Sequence, residues 1–304
     1  MKEKIAVLLP CYNEALAIEK VVKDFKKYLP EADIYVYDNN STDNTAEIAR
    51  NAGAIVRQEY FQGKGNVVRR MFADIDADVY VMSDGDETYD IKRAPDLIQT
   101  LKSGQYDMVV GARKEVDLAC YRVGHRYGNI LLTRLVQTFF HHKLEDMLSG
   151  FRVFSKRYVK TFPAQSSGFE IETELTVYAL SSRMRIKEVN TDYFPRPIGS
   201  FSKLSTYRDG VRILKTIVML VKEERPLLFF SLIALVLFLF GIILSVPLLI
   251  EYIHSGLVPR FPTAILITGI EICAFIFLLV GFVLDSLSNL RHETRRQAYL
   301  KYHI

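Results

Sequence analysis

The chain has 304 residues, 24% charged side chains and a net charge of +4. That length allows one large domain or two smaller ones, and the mild charge includes no basic run dense enough for a nucleic-acid surface. Its three cysteines, Cys11, Cys120 and Cys273, are scattered and odd in number. They imply neither a disulfide framework nor a metal cluster, and they fit a reducing compartment.

The opening "MKEKIAVLLPCYNE" sets a short apolar stretch behind two basic residues. It is too short for a signal peptide and lacks a small-residue cleavage site, so it reads as a first strand. Apolar, β-rich runs follow at Ile34 to Tyr37, Ala54 to Val56, Val79 to Met82 and Met108 to Val110. Helical patterns lie between them at Ala15 to Tyr28, Thr45 to Asn51, Asn66 to Asp74 and Ala94 to Leu101. Further helices are predicted after Gly124 and from Ile171 to about Ser182. Strands alternating with helices of this size predict an α/β domain with a mostly parallel sheet covered on both faces.

Ligands of such sheets bind at the carboxyl ends of the strands. Polar clusters stand there: "PCYNE", "DNNSTDNT", "SDGDETYD" and "GARKE". In the third, Asp84 and Asp86 flank Gly85. Carboxylates this close resist burial unless a cation lies between them. Two carboxylates imply a hard ion that completes its shell with phosphate and water, Mg²⁺ or Mn²⁺. An acidic surface turn is the alternative reading of any one such segment. The spacing of an EF-hand is missing.

Residues 205–224 carry Val211, Leu214, Val218 and Val221 among basic residues, the pattern of an amphipathic helix on a membrane surface. Two apolar runs follow, Leu227 to Ile250 and Thr263 to Leu284, each near the ~20 residues that cross a bilayer core. Basic residues flank the pair, including Arg291, Arg295, Arg296 and Lys301, while the connection is short and nearly neutral. The positive-inside rule therefore predicts a two-span hairpin with both termini cytoplasmic. The expected organisation is a catalytic domain at 1–204, an interface helix at 205–225, two spans at 226–285 and a basic tail at 286–304. Glu271, costly within a span, predicts a polar contact with the other span or another subunit. With Gly269 and Ala274 near it, self-association is a further expectation.

"LLPCYNEALAI", "VYDNNSTDNT", "QGKGNVVRRMF", "VMSDGDETYD", "VVGARKE", "DMLSGFRVFSK" and "IGSFSKLSTYRDG" together resemble family-2 glycosyltransferases of the dolichol-phosphate mannose synthase group. The likeness covers residues 5 to about 215 and extends to the branch that glycosylates undecaprenyl phosphate in bacteria. It implies a GT-A fold, with Pro10, Tyr12, Asn13, Glu14 and Asp38 lining the nucleotide pocket and Lys64 near the diphosphate. Asp84 and Asp86 match the metal motif, and Thr88 stands where relatives carry a third metal-facing side chain. Asn39 departs from the second Asp of many relatives. Arg113 matches an arginine on the diphosphate side. Arg122, His125 and Arg126 fall in the segment near the acceptor phosphate. Asp146, Ser149 and Arg152 belong to the matching "DMLSGFR" stretch, and Arg196 and Lys203 to a basic pair before the interface helix. Ser149, Arg152, Arg196 and Lys203 are expected, with Arg122, His125 and Arg126, on the acceptor side. His141 and His142 receive no role.

The implied reaction is inverting transfer of a hexose from a nucleotide sugar, UDP-glucose or UDP-N-acetylglucosamine, to polyprenyl phosphate at the cytoplasmic face of the cell membrane. The alternatives are a GDP-mannose donor and an inactive membrane scaffold. A processive polysaccharide synthase would carry Gln-x-x-Arg-Trp, and this chain contains no Trp. A dinucleotide enzyme would show Gly-x-Gly-x-x-Gly after the first strand, where this chain has "PCYNEA".

Overall fold

A computed structural model describes residues 3–115, 123–140, 144–197, 199 and 206–302. Among these, seven strands form one sheet: β1 (Ile5–Cys11), β2 (Asp33–Asp38), β3 (Ile55–Gln58), β4 (Val79–Met82), β5 (Met108–Glu115), β6 (Arg152–Ser155) and β7 (Ile186–Tyr193). The order is β3-β2-β1-β4-β6-β5-β7. Only β6 runs against its neighbours, between β4 and β5. The carboxyl ends of β1, β2, β4 and β5 therefore share one edge. The helices are α1 (Ile18–Tyr28), α2 (Thr45–Asn51), α3 (Lys64–Asp74), α4 (Ala94–Ser103), α5 (Val123–Phe140), α6 (Lys156–Thr161), α7 (Ile171–Ser181), α8 (Thr206–Glu224), α9 (Pro226–Ser255) and α10 (Phe261–Leu300).

The central strands β1, β2 and β4 are mostly apolar because both sheet faces are covered there. In β1, Val7 and Leu9 face a core with Val21, Val22 and Phe25 of α1. The alternate residues Ala6 and Leu8 face a second core with Val68 and Met71 of α3 and Leu175 of α7. The sequence reading found β1 to β5 but neither β6 nor β7. Four residues of β6 follow a glycine-containing loop, and β7 is mostly polar, with Ile186, Val189 and Tyr193 its only apolar residues.

The chain divides into two compact units, one of residues 1–217 with 295–304 and one of residues 218–294. In the first, the chain end is docked rather than a free tail. Tyr299 donates to both oxygens of buried Asp107, at 3.0 and 3.1 Å, and its ring lies under the Arg157 guanidinium.

In the second unit, α9 and α10 are each long and apolar enough to cross a membrane, and most of their side chains are exposed. Small residues are buried along them at a spacing of seven, Ala234 and Gly241 on α9 with Ala274 and Gly281 on α10, while Ser288 of α10 donates to the Glu223 carbonyl of α8. Such residues let helix backbones approach closely. A side chain at Gly241 would collide with the Glu271 carboxylate, so Glu271 lies against the other apolar helix. Ala274 is used within the chain.

Candidate active site

The loops at the shared edge are tied to one another by side chains bonding to backbone. Asn13, at a left-handed φ of 54°, donates its N–H to Ser41 and accepts the Thr42 N–H at 2.7 Å. The Glu14 N–H donates to the Thr45 hydroxyl at 2.8 Å. Asn40 and Glu87 also have positive φ, so backbone strain gathers at these strand ends. The departure at Asn39 has a local cause. Its amide donates to the carbonyls of Glu59 and Phe61, while its oxygen accepts the Gly63 N–H at 2.7 Å. An aspartate there would turn a carboxylate oxygen toward two carbonyls. Pro10, the last residue but one of β1, is half-buried, and Tyr12 just past the strand is exposed. Asp38 is buried, and one oxygen accepts the Ser41 N–H at 3.3 Å. The other has no hydrogen-bond partner, so it can accept from a ligand.

The Gly-Lys-Gly turn opens α3. Side chains at Gly63 or Gly65 would come within 2.2 Å of the Ser167 and Ser166 carbonyls, so only glycine permits this packing. The turn aims buried Lys64 at two carboxylates, Asp84 and Glu172, the latter at 2.5 Å. Burial opposes the Lys64 charge, yet the two acids outweigh it and push its pKa up. Burial raises the pKa of Glu172, with Lys64 pulling the other way. Glu172 escaped the sequence reading. It sits within the α7 segment "IETEL", far from Lys64 in sequence and with no spacing that signals the pair.

Asp86 is buried, and burial followed by the Asp84 charge raises its pKa. Its Oδ1 accepts from the Thr88 hydroxyl at 2.6 Å and the Thr88 N–H at 3.2 Å. Thr88 thus orients a carboxylate. The Oδ2 of Asp86 meets the Arg196 guanidinium, whose other arm is 3.5 Å from Glu14. Arg196, expected on the acceptor side, contacts Asp86 and Glu14 in this structure.

Arg113 forms a two-pronged pair with Asp146, at 2.6 and 2.8 Å, and lies over the Tyr193 ring. Ser149 and Arg152, expected on the acceptor side, turn their side chains into the core. Ser149 is fully buried and donates to the Gly111 carbonyl at 2.6 Å. Arg152 is also fully buried, donating to the carbonyls of Ser149, Met147 and Glu172 and to the Thr176 hydroxyl. It clamps β6 to α7. Arg122, His141, His142 and Lys203 lie outside the described residues, as do the side chains of His125 and Arg126 in α5.

Asp84 and Asp86 fit a divalent ion. They supply hard oxygen donors, and any side chain at Gly150 would come within 2.7 Å of Asp84 Oδ2, so glycine keeps that oxygen accessible. Among the described residues, Asp84, Asp86, Glu14 and Glu172 contact Lys64 and Arg196. A divalent ion would relieve the repulsion of the Asp84 charge on Asp86. Among the described residues no three acidic, histidine or cysteine side chains converge as ligands, so part of its shell would come from substrate and water.

Comparison with known proteins gives this edge a family. The model of "Glycosyl transferase family 2" matches residues 6–162. Protein RfbJ of Shigella flexneri is 59% identical over 40% of this chain and 95% of its own length. Glycosyltransferase AglJ of Haloferax volcanii is 31% identical over 97% of both chains. A dolichyl-phosphate hexose transferase of the same organism is 29% identical over 73% of this chain and 96% of its own. Among solved structures, glucosyl-3-phosphoglycerate synthase from Mycobacterium tuberculosis, crystallised with Mn²⁺ and uridine diphosphate, aligns with a TM-score of 0.59. It is 22% identical over 73% of this chain and 80% of its own, a likeness of fold.

Proposed function

The chain belongs to glycosyl transferase family 2, in its dolichol-phosphate mannose synthase-like group, and on that premise we propose that it transfers a hexose from a nucleotide sugar to polyprenyl phosphate. One observation carries the reading. The Asp84–Lys64–Glu172 and Asp86–Arg196 clusters meet at the carboxyl edge of the sheet, in a chain that also bears two membrane-length apolar helices.

The acceptor phosphate oxygen attacks the anomeric carbon, the bond from that carbon to the diphosphate breaks, and the nucleoside diphosphate leaves. Direct displacement inverts the anomeric centre. The acceptor is already anionic near neutral pH, so no strong general base is required. Charge control is the demand instead. A divalent ion held by Asp84 and Asp86 would supply Lewis-acid stabilisation of the departing diphosphate. Lys64 adds a fixed positive charge beside Asp84, and Asp146 fixes Arg113, whose planar fork suits phosphate oxygens. The unpaired oxygen of Asp38 is suited to accept from the nucleobase. Arg122, His125, Arg126 and Lys203 are assigned to the acceptor side through the family resemblance.

A polyprenyl phosphate stays in the bilayer, so the site must be held at headgroup level. The apolar helices and the exposed Val211, Leu214 and Val218 of α8 support that placement. The basic flanks put the catalytic unit and both termini on the cytoplasmic side. The donor is a UDP-hexose in this reading. Membranes containing the protein are to be incubated with radiolabelled UDP-glucose, UDP-N-acetylglucosamine and GDP-mannose. Label from one UDP-sugar in the lipid fraction is expected; label only from GDP-mannose would reassign the donor, and none from any would refute lipid transfer.

A further inference from the structure

Arg113 and Arg196 stand at the site and Arg152 lies in the core beneath it, and the three are held in different ways. Arg113 is locked by two parallel bonds to Asp146. Arg152 is locked by carbonyls and a hydroxyl. Arg196 is held mainly by charge. One arm touches Asp86 Oδ2, while the other is buried, 3.5 Å from Glu14, and makes no hydrogen bond. A donor left in that condition gives up little when it moves.

The oxygen that Arg196 covers matters. Thr88 takes up Asp86 Oδ1 with two hydrogen bonds, so Oδ2 is the oxygen Asp86 can offer to an ion. On Asp84, Lys64 contacts Oδ1, while Oδ2 faces Gly150. An ion held by Asp84 and Asp86 would compete with Arg196 for Asp86, whereas Lys64 sits on the Oδ1 side of Asp84.

We propose that Arg196 and the divalent ion exclude one another at Asp86, making Arg196 a gate on the metal site. With Asp86 engaged by an ion, the Arg196 guanidinium would be free to pair with phosphate at the same edge. Binding is thereby ordered: donor and ion precede the acceptor phosphate, and an ion without nucleotide binds weakly because it must strip Asp86 of its partner. This rests on the metal reading given above.

The test is Mn²⁺ binding to the detergent-solubilised full-length chain, measured as loss of the free-ion electron paramagnetic resonance signal, with and without UDP. Without UDP, Arg196→Ala should bind Mn²⁺ about tenfold more tightly than the wild type, because no cation competes for Asp86. Arg196→Lys keeps a charge but not the planar fork, and should fall between them. It also serves should the Ala variant fail to fold. Wild-type affinity should rise when UDP is present. Equal or weaker Mn²⁺ binding by the foldable variants, beside a wild type that binds Mn²⁺ with UDP, overturns the gate and leaves the metal site standing. A wild type that binds no Mn²⁺ even with UDP overturns both.

Discussion

Lys64 and Glu172 form a buried ion pair, 2.5 Å between charged atoms, that joins the first turn of α3 to α7 and points the ammonium at Asp84. Such a pair is a weak source of stability when intact, and removing one partner typically costs about 3–5 kcal/mol. Glu172→Gln should lower the thermal midpoint and reduce transfer, because Lys64 loses one of its two anchors. Lys64→Met should do more, since it leaves Asp84 and Glu172 without their shared cation. Melting curves beside transfer rates check this. Unchanged transfer in a stably folded Lys64→Met would remove Lys64 from the site.

Arg152 separates a structural from a functional reading of the "DMLSGFR" stretch. Every contact it makes is internal, so Arg152→Ala should destabilise the fold strongly by removing donors from the carbonyls of Met147, Ser149 and Glu172 and leaving a cavity at a fully buried site. The KM for polyprenyl phosphate in the fraction that remains folded should stay near the wild-type value. A raised lipid KM with an unchanged melting temperature would return Arg152 to the acceptor site.

That case shows why the sheet was more legible than the site. Strands β1, β2 and β4 are apolar because both faces are buried, and such runs are visible along the chain. The carboxyl-end clusters around Asn13, Asp38, Asp84 and Arg113 follow from those strands. The direction of an arginine does not follow. Arg152 and Arg196 read alike in sequence, yet one turns into the core and the other to Asp86. Glu172 was invisible because its meaning depends on Lys64, which only the packing of α3 against the Ser166–Ser167 carbonyls brings near. Strand β6 is brief, and β7 is an edge strand with neither an apolar run nor a regular alternation.

Alkaline stability has a defined window. Burial pushes the Tyr37 and Tyr80 hydroxyls up to about 12, and each also sits in a hydrogen-bond arrangement, with Arg57 and Asp74 or with Ala77 and Ile75. The unfolded chain releases such protons near pH 10. Stability from the protonated phenols is therefore complete below about pH 10 and is lost as pH rises toward about 12. Tyr37→Phe should lower stability at pH 8 by loss of its hydrogen bonds and flatten the decline above pH 10. Thermal melting across pH 8 to 12 measures both; an unaltered slope would contradict the assignment.

Membrane sidedness is open to direct labelling. With the α9–α10 connection outside and the docked chain end inside, Ser255→Cys in a background lacking the native cysteines should react with an impermeant thiol reagent in intact cells. Tyr302→Cys should react only after permeabilisation. The reverse pattern would overturn the cytoplasmic placement of the catalytic unit.

The central claim is that Asp84 and Asp86 serve sugar transfer to a lipid phosphate. Its most direct measurement uses purified full-length protein, a radiolabelled UDP-hexose and Mg²⁺ or Mn²⁺, with polyprenyl phosphate added or withheld. Label should enter an organic-extractable product only when lipid phosphate and divalent ion are both present, and Asp84→Asn or Asp86→Asn should nearly abolish it. Full activity in excess chelator, full activity in both Asn variants, or sugar release that ignores the lipid would contradict the account.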